Sequence, residues 1–195
     1  MRMKPLVLTC FLLKDFTRPN VADLAVFIYF QFAWGPLPST DELAAYFDPL
    51  PPDDDPRPDA HWSDFASRWD QSENRSYGNF ALAEFCQLYE TVELWFDTRP
   101  QNQLELIWLL DYFHSHPEVV PRLKLRLLNL DLIGFPKKGL GEWRPPLVDV
   151  TEEELGTASA VWQAYRAANA GSVFRSARQG LECVAVAQAS FARIA

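Results

Sequence analysis

Polar side chains that could bind or act on a ligand are grouped between residues 97 and 103. Asp97 follows the hydrophobic run Val92–Phe96, and Arg99, Asn102 and Gln103 come directly after it. Ligands of open α/β sheets bind beyond the carboxyl ends of the strands. The carboxylate and the two amides could therefore bind a polar ligand or orient a water molecule, and Arg99 could meet an anion with help from a helix dipole.

The same residue types also have a purely structural explanation. Asp97 or Thr98 could cap the helix that follows, and Gln103 could satisfy main-chain groups. Arg99 could be an ordinary surface arginine. The sequence leaves both explanations open.

The sequence gives little support for a metal site, a nucleotide-binding motif or a serine nucleophile. His61, His114 and His116 are the only histidines, and the last two point to different helix faces. A zinc site needs three or four converging ligands, and the consecutive aspartates 53–55 lack the alternation and the glycine of a calcium loop. The chain contains no GxGxxG, GxxxxGK[ST] or GxSxG motif. We therefore predict no metal, and the cofactor and the catalytic residues stay unknown.

Composition narrows the class of partner. The 195 residues are 48% hydrophobic and 23% charged, as in an ordinary globular protein, and the net charge is −8. Nucleic-acid binding relies on clustered Lys and Arg. The densest basic stretch, residues 122–126, alternates with leucine and predicts the solvent face of a strand. Nucleic acid is thus an unfavoured partner, and a small molecule or a protein is expected.

Cysteine usage and the N-terminus predict a cytoplasmic protein. Cys10, Cys86 and Cys183 are far apart and suggest no disulfide framework. The apolar run near the N-terminus is interrupted at Lys14 and Asp15, too early for a signal peptide. No segment is long and apolar enough to span a bilayer, so no membrane association is expected.

The elements that would position these side chains follow from the hydrophobic pattern. Continuous apolar runs at 6–10 and 24–33 predict strands buried on both faces. A strand over 92–96, an apolar helix over 101–113 and a strand over 122–128 form a βαβ unit.

Helical spacing predicts further helices. Trp62, Phe65 and Trp69 predict one over 59–70, and a second is expected over 79–90. Capping boxes at Ser39–Glu42 and Thr151–Glu154 each start a helix. The predicted fold is α/β: a Rossmann-like, mostly parallel sheet with flanking helices over residues 1–146, followed by a small helical appendage over 147–195.

Several of these segments resemble a bacterial family, the one numbered eighteen thirty-five among domains of unknown function. The similarity is carried by Val92–Asp97 with Asn102-Gln103-Leu104, by Leu132–Phe135 with Gly139-Leu-Gly141, and by the Gly-Pro turn at Gly35. The helix from Thr151 resembles the start of the companion family numbered thirty-six fifty-eight. The resemblance implies this fold and makes Gly35 a further candidate ligand-binding residue, but it brings no settled activity.

The chain departs from that family in two places. Family members carry Gly-Asp just after the first strand, where this chain reads Thr9-Cys10-Phe11. From residue 167 the chain also lacks the family's Leu-Pro-Leu-Leu tail. A one-base shift of permitted codons restores a family-like tail, so we hypothesise that the last 28 or so residues are out of frame and disordered.

Three functional hypotheses follow. The first is a ligand-binding or interaction module. The second is an enzyme acting on a small polar or phosphorylated ligand at the strand-end cleft near Asp97. The third, suggested by the tail, is a decayed copy without function.

Overall fold

The computed structural model describes most of the chain in six stretches, namely residues 5–10, 22–32, 36–52, 56–68, 77–128 and 146–169. The segments Leu132–Phe135 and Gly139-Leu-Gly141 that carry part of the family resemblance, the candidate Gly35 and the tail from residue 170 lie outside these stretches. Within them, no helix combines the length and apolarity needed to cross a membrane.

A six-stranded sheet with the order β3-β2-β1-β4-β5-β6 forms the centre of the fold. The strands are β1 (Leu6–Thr9), β2 (Leu24–Phe27), β3 (Ala66–Arg68), β4 (Val92–Asp97), β5 (Leu123–Leu128) and β6 (Val148–Asp149). The four central strands are parallel, and β3 and β6 pair antiparallel at the two edges. The predicted α/β fold with a mostly parallel sheet is confirmed.

In the described stretches four α-helices accompany the sheet, namely α1 (Thr40–Ala45), α2 (Leu82–Cys86), α3 (Pro100–His114) and α4 (Glu152–Asn169). Short 3-10 turns span Trp62–Phe65, Tyr77–Asn79 and Val120–Arg122. Both predicted capping boxes are confirmed. Ser39 Oγ accepts from the Glu42 N–H at 3.2 Å, and Thr151 Oγ1 accepts from the Glu154 N–H at 3.3 Å.

The main hydrophobic core lies on one face of the sheet. Side chains alternate along a strand, so Leu6 and Leu8 of β1 share this face with Leu94 and Phe96 of β4, and all four are fully buried. The helix α3 is apolar nearly all round because it packs between the sheet and α4. A stripe along α4 is buried in the same core: Leu155, Ala158, Trp162 and Tyr165. The division of the chain at residue 146 stays a prediction.

Two predictions from local pattern are wrong. The helix expected over 59–70 is a 3-10 turn that leads into β3, and β3 pairs antiparallel with β2. Trp62 is fully buried and Phe65 packs against the same core, but from a turn that leads into an edge strand, and sequence periodicity cannot report that pairing. The strand expected over 24–33 ends at Phe27.

The expectation that the basic residues of β5 face solvent is also wrong for Arg126. This side chain is only 6% exposed, its Nη2 lies 3.3 Å from Glu93 Oε2, and its guanidinium lies 5.2 Å from the centre of the Trp95 ring. Glu93 and Trp95 share a sheet face with Arg126 because β4 and β5 are parallel and in register. An ion pair and a cation–π contact thus accompany the burial of this charge.

Candidate functional site

The chain order of the strands places a switch point between β1 and β4. From β1 the chain passes to β2 on one side, and β4 later takes the place on the other side of β1. Thr9 is in register with Trp95, so Cys10, which follows Thr9, and Asp97, two residues after Trp95, come at neighbouring strand ends. Open α/β sheets bind ligands at such a point, beyond the carboxyl ends of the strands.

Asp97 is completely buried at this edge and accepts hydrogen bonds from two other residues. Its Oδ1 accepts from the Arg99 main-chain N–H at 2.9 Å and from Asn102 Nδ2 at 2.8 Å. Its Oδ2 accepts from Arg99 Nε and Nη2, both at 2.7 Å. The buried carboxylate is thereby compensated by charge and by hydrogen bonds.

Arg99 joins this buried carboxylate to the surface. Its side chain is 51% exposed, whereas that of Asp97 is 0% exposed. The hydrogen bond that Arg99 donates to the Asp97 carboxylate holds the pKa of the guanidinium above its ordinary value, so the group is permanently charged. Arg99 is also the N-cap of α3, and Pro100 opens the helix. A fixed positive charge and the positive end of a fifteen-residue helix coincide here.

Asn102 and Gln103 are both buried in the first turns of α3 and support Asp97. Asn102 donates to the carboxylate, and Gln103 Nε2 donates to the main-chain carbonyl of Asp97. Gln103 therefore does what the structural explanation expected, while Asp97 forms an Asx-type turn with Arg99 rather than an N-cap. The structure thus brings Asp97, Arg99, Asn102 and Gln103 together, and Gly35 lies outside the described residues.

Glu105 belongs to the same cluster and was not selected from the sequence. It is 1% exposed, and its Oε1 accepts from Gln101 Nε2 at 2.9 Å and from the Phe30 N–H at 3.4 Å. Burial raises the pKa of Glu105 to about 7. The signal in the sequence was a carboxylate between Leu104 and Leu106, in a helix otherwise apolar on nearly every side.

Residues 28–32, which we call the Phe30 segment, follow β2 and lie against α3. Their main-chain groups bond to side chains. The Tyr29 N–H donates to Tyr46 Oη at 3.3 Å, and the Phe32 N–H donates to Gln101 Oε1 at 3.2 Å. Gln101 Nε2 donates to the Phe30 carbonyl, and Tyr165 Oη donates to the Phe32 carbonyl at 2.8 Å. Buried main-chain groups need partners. Ile28 still donates its N–H to the Thr9 carbonyl of β1 at 2.7 Å, and beyond it side chains of α3, of α4 and of Tyr46, which follows α1, take the place of a neighbouring strand.

Cysteine and histidine chemistry gains no support at this edge. The Cys10 Sγ donates to the Trp95 carbonyl at 3.8 Å, and burial raises the pKa of the thiol, which makes it a poor nucleophile. His61 is buried, with Nε2 2.7 Å from the Asp48 carbonyl oxygen, and burial lowers its pKa. Among the residues the structure describes, no three His, Cys, Asp or Glu side chains are grouped as metal ligands.

The fold and the cluster define an α/β protein whose strand-end switch point carries a charged, hydrogen-bonded network. No family model, curated protein or solved structure matches this chain.

Proposed function

We propose that the protein is a binding module for a small anionic ligand, with Arg99 as the residue that recognises the anion. The observation that carries this proposal is the pairing of Arg99 with a completely buried Asp97, which orients a half-exposed guanidinium at the switch point between β1 and β4. A pre-oriented cation binds an anion at a smaller entropic cost than a mobile one.

The chemistry of the surroundings supports an anion over a cation. The guanidinium offers planar, bidentate hydrogen bonding to carboxylate or phosphate oxygens. The N-terminus of α3 adds positive potential at the same place. The nearest carboxylate, Asp97, already accepts from Arg99 and Asn102, so Asp97 acts on the ligand only through Arg99.

Binding is favoured over catalysis for the same reason. A general base must be able to accept a proton from the reacting group, and both oxygens of Asp97 are occupied by donors. The second candidate function, an enzyme acting on the same ligand, is supported by Glu105, whose pKa of about 7 suits acid–base chemistry near neutral pH. Its Oε1 is engaged by Gln101 and Phe30, which makes it the weaker candidate.

The finer features of the protein are proposals of the same kind. We also propose membership of the bacterial family numbered eighteen thirty-five, a Rossmann-like classification and a cytoplasmic location. The mostly parallel strand order supports the Rossmann-like classification. The other two rest on the sequence features given above.

A sulfate titration followed by calorimetry or by amide chemical shifts tests the anion site. Sulfate keeps its charge across the neutral range and therefore reports on the protein alone. We expect Arg99→Gln to weaken sulfate binding by roughly tenfold or more, which corresponds to the loss of one charge-assisted contact. Arg99→Lys should retain part of the affinity, since it keeps the charge but loses the planar fork.

The chain offers a matched control in Arg57, which pairs with Asp64 elsewhere on the surface. The side chains of Arg57 and Arg99 are similarly exposed, 53% and 51%, but Asp64 is 36% exposed where Asp97 is fully buried. Arg57→Gln should leave sulfate binding unchanged. Equal losses in Arg57→Gln and Arg99→Gln would mean that sulfate responds only to net charge, and the proposed site would be refuted.

A further inference from the structure

Glu105 is the second buried carboxyl group of the strand-end cluster, after Asp97. Arg99 is the N-cap of α3, and Glu105 lies further along the same helix. Gln101, between them in the chain, donates a hydrogen bond to Glu105 Oε1 at 2.9 Å. Both residues interact electrostatically with Asp97 and with each other. A change of charge at one of them is therefore felt at the other.

We propose that proton uptake at Glu105 is coupled to anion binding at Arg99, so that the site binds its anion more tightly when Glu105 is protonated. This inference rests on the proposed function, and it assigns Glu105 a regulatory role that does not require contact with the ligand.

The sign follows from the charges around Glu105. Arg99 favours the ionised form of Glu105, whereas burial and the charge of Asp97 oppose it. An anion bound at Arg99 would cancel the effect of the guanidinium, so Glu105 would take up a proton. By reciprocity, a protonated Glu105 removes a negative charge from the neighbourhood of the anion and raises the affinity by the same factor.

The other ionisable groups near Glu105 come from several elements of the fold. Burial raises the pKa of the Cys10 thiol, which follows β1, and of the Tyr46 hydroxyl, which follows α1. Asp97 is held by Arg99 and Asn102, and from α4 the hydroxyl of Tyr165 bonds the adjacent Phe32 carbonyl. Glu105, with a pKa of about 7, can exchange a proton between about pH 6 and 8.

Sulfate titrations at a series of pH values test the coupling. We expect the wild-type protein to bind sulfate about three- to tenfold more tightly near pH 6 than near pH 8. The isosteric variant Glu105→Gln should bind with an affinity that no longer depends on pH in this range. The matched control is Glu90→Gln, because Glu90 is exposed and precedes β4, at the opposite end of that strand from Asp97. This variant should keep the wild-type pH dependence, and a pH profile unchanged in Glu105→Gln would overturn the proposal.

A second measurement needs no ligand and separates the two proposals. The carboxyl carbon of Glu105 can be titrated by NMR in the wild type, in Arg99→Gln and in Arg99→Lys. The pKa of Glu105 should rise in Arg99→Gln and stay near the wild-type value in Arg99→Lys, since only the former removes the charge. If it does not rise, the coupling is refuted even where sulfate binds. If it rises but sulfate does not bind the wild type, the anion site fails, and proton-linked binding fails with it, while the charge coupling itself stands.

Discussion

Tyr165, on the last described helix, donates a 2.8 Å hydrogen bond to the carbonyl oxygen of Phe32, which precedes it by 133 residues. The same Phe32 donates its N–H to Gln101 of α3. One residue of the Phe30 segment therefore connects α4, α3 and the end of β2. The aromatic rings of Phe32 and Trp162, 5.0 Å apart between centroids, reinforce this connection.

Removing the hydroxyl of Tyr165 should loosen the Phe30 segment without unfolding the protein. Tyr165→Phe keeps the ring but leaves the buried Phe32 carbonyl without this donor, so we expect a loss of about 1–2 kcal/mol in the free energy of unfolding. Hydrogen exchange should accelerate at Phe30 and Phe32 more than at the amides of β4. Tyr29→Phe, at a ring that is 42% exposed, serves as the control. Uniform acceleration across the sheet would contradict the assigned role.

The coupling between Asp97 and Arg99 can be measured by a double-mutant cycle in urea. Asp97→Asn and Arg99→Ala should each destabilise the protein, with an interaction energy of about 1–3 kcal/mol, because the carboxylate is buried and half of its donors come from the guanidinium. The exposed pair of Arg57 and Asp64 should give about 0.5 kcal/mol or less. Similar values for both pairs would show that the burial of Asp97 adds nothing.

The stability of the protein should fall as pH rises because of Glu105. Its pKa lies near 7 in the folded state and near 4.5 when it is exposed, so the folded protein retains a proton that the unfolded chain releases. The stabilisation is complete below about pH 4.5 and is lost as the pH rises through about 7. Glu105→Gln should therefore exceed the wild type in stability by up to about 3 kcal/mol near pH 8, and little below pH 4.5.

Denaturant unfolding at several pH values checks this prediction. The difference between Glu105→Gln and the wild type is the quantity of interest, because it removes the contribution of the other titrating groups. The same difference measured for Glu90→Gln, at an exposed side chain, serves as the reference for a carboxyl group that is not buried. A pH-independent difference for Glu105→Gln would contradict the burial argument.

Two glycines form a matched pair for alanine substitution. A Cβ at Gly78 would overlap Leu50 Cδ1, whereas one at Gly156 would meet nothing within 4 Å. Gly78→Ala should destabilise by up to about 1 kcal/mol, because the half-buried Leu50 side chain must shift to make room for the Cβ. Gly156→Ala, in the interior of α4, should stabilise by about 0.5–1 kcal/mol because alanine favours the helix. Thermal unfolding of both variants measures the two shifts, and shifts of the same sign would contradict the prediction.

Much of the sheet could be predicted because its strands are recognisable locally. The strands β1 and β4 and the helix α3 are nearly continuous apolar runs, which are typical of elements covered on both faces. The strand β5 is recognisable instead by the alternation of leucine with basic residues. The placement of Asp97 at a strand end followed directly, and so did the grouping of Asn102 and Gln103 with it.

The rest depended on contacts between distant parts of the chain. The strand β3 exists because Ala66 pairs with Val26, and no periodicity within 59–70 indicates that partner. Glu105 became a site residue only because residues 28–32 bury it. Arg126 was assigned to solvent because its partners Glu93 and Trp95 lie on another strand. The local sequence pattern indicates how much apolar surface a segment carries. Strand pairing and the burial of charged side chains depend instead on contacts with residues that are distant in the chain.

The side-chain partners of the Phe30 segment also have an evolutionary consequence. Main chain that bonds to main chain tolerates nearly any substitution, but this segment relies on Tyr46, Gln101, Glu105 and Tyr165. A mutation at one of these positions removes a hydrogen-bond partner of the Phe30 segment and so changes the main-chain groups that the other three side chains must bond. Homologous proteins should therefore replace these four residues together. Covariation among the four positions in related sequences would then identify the residues that form this edge of the site.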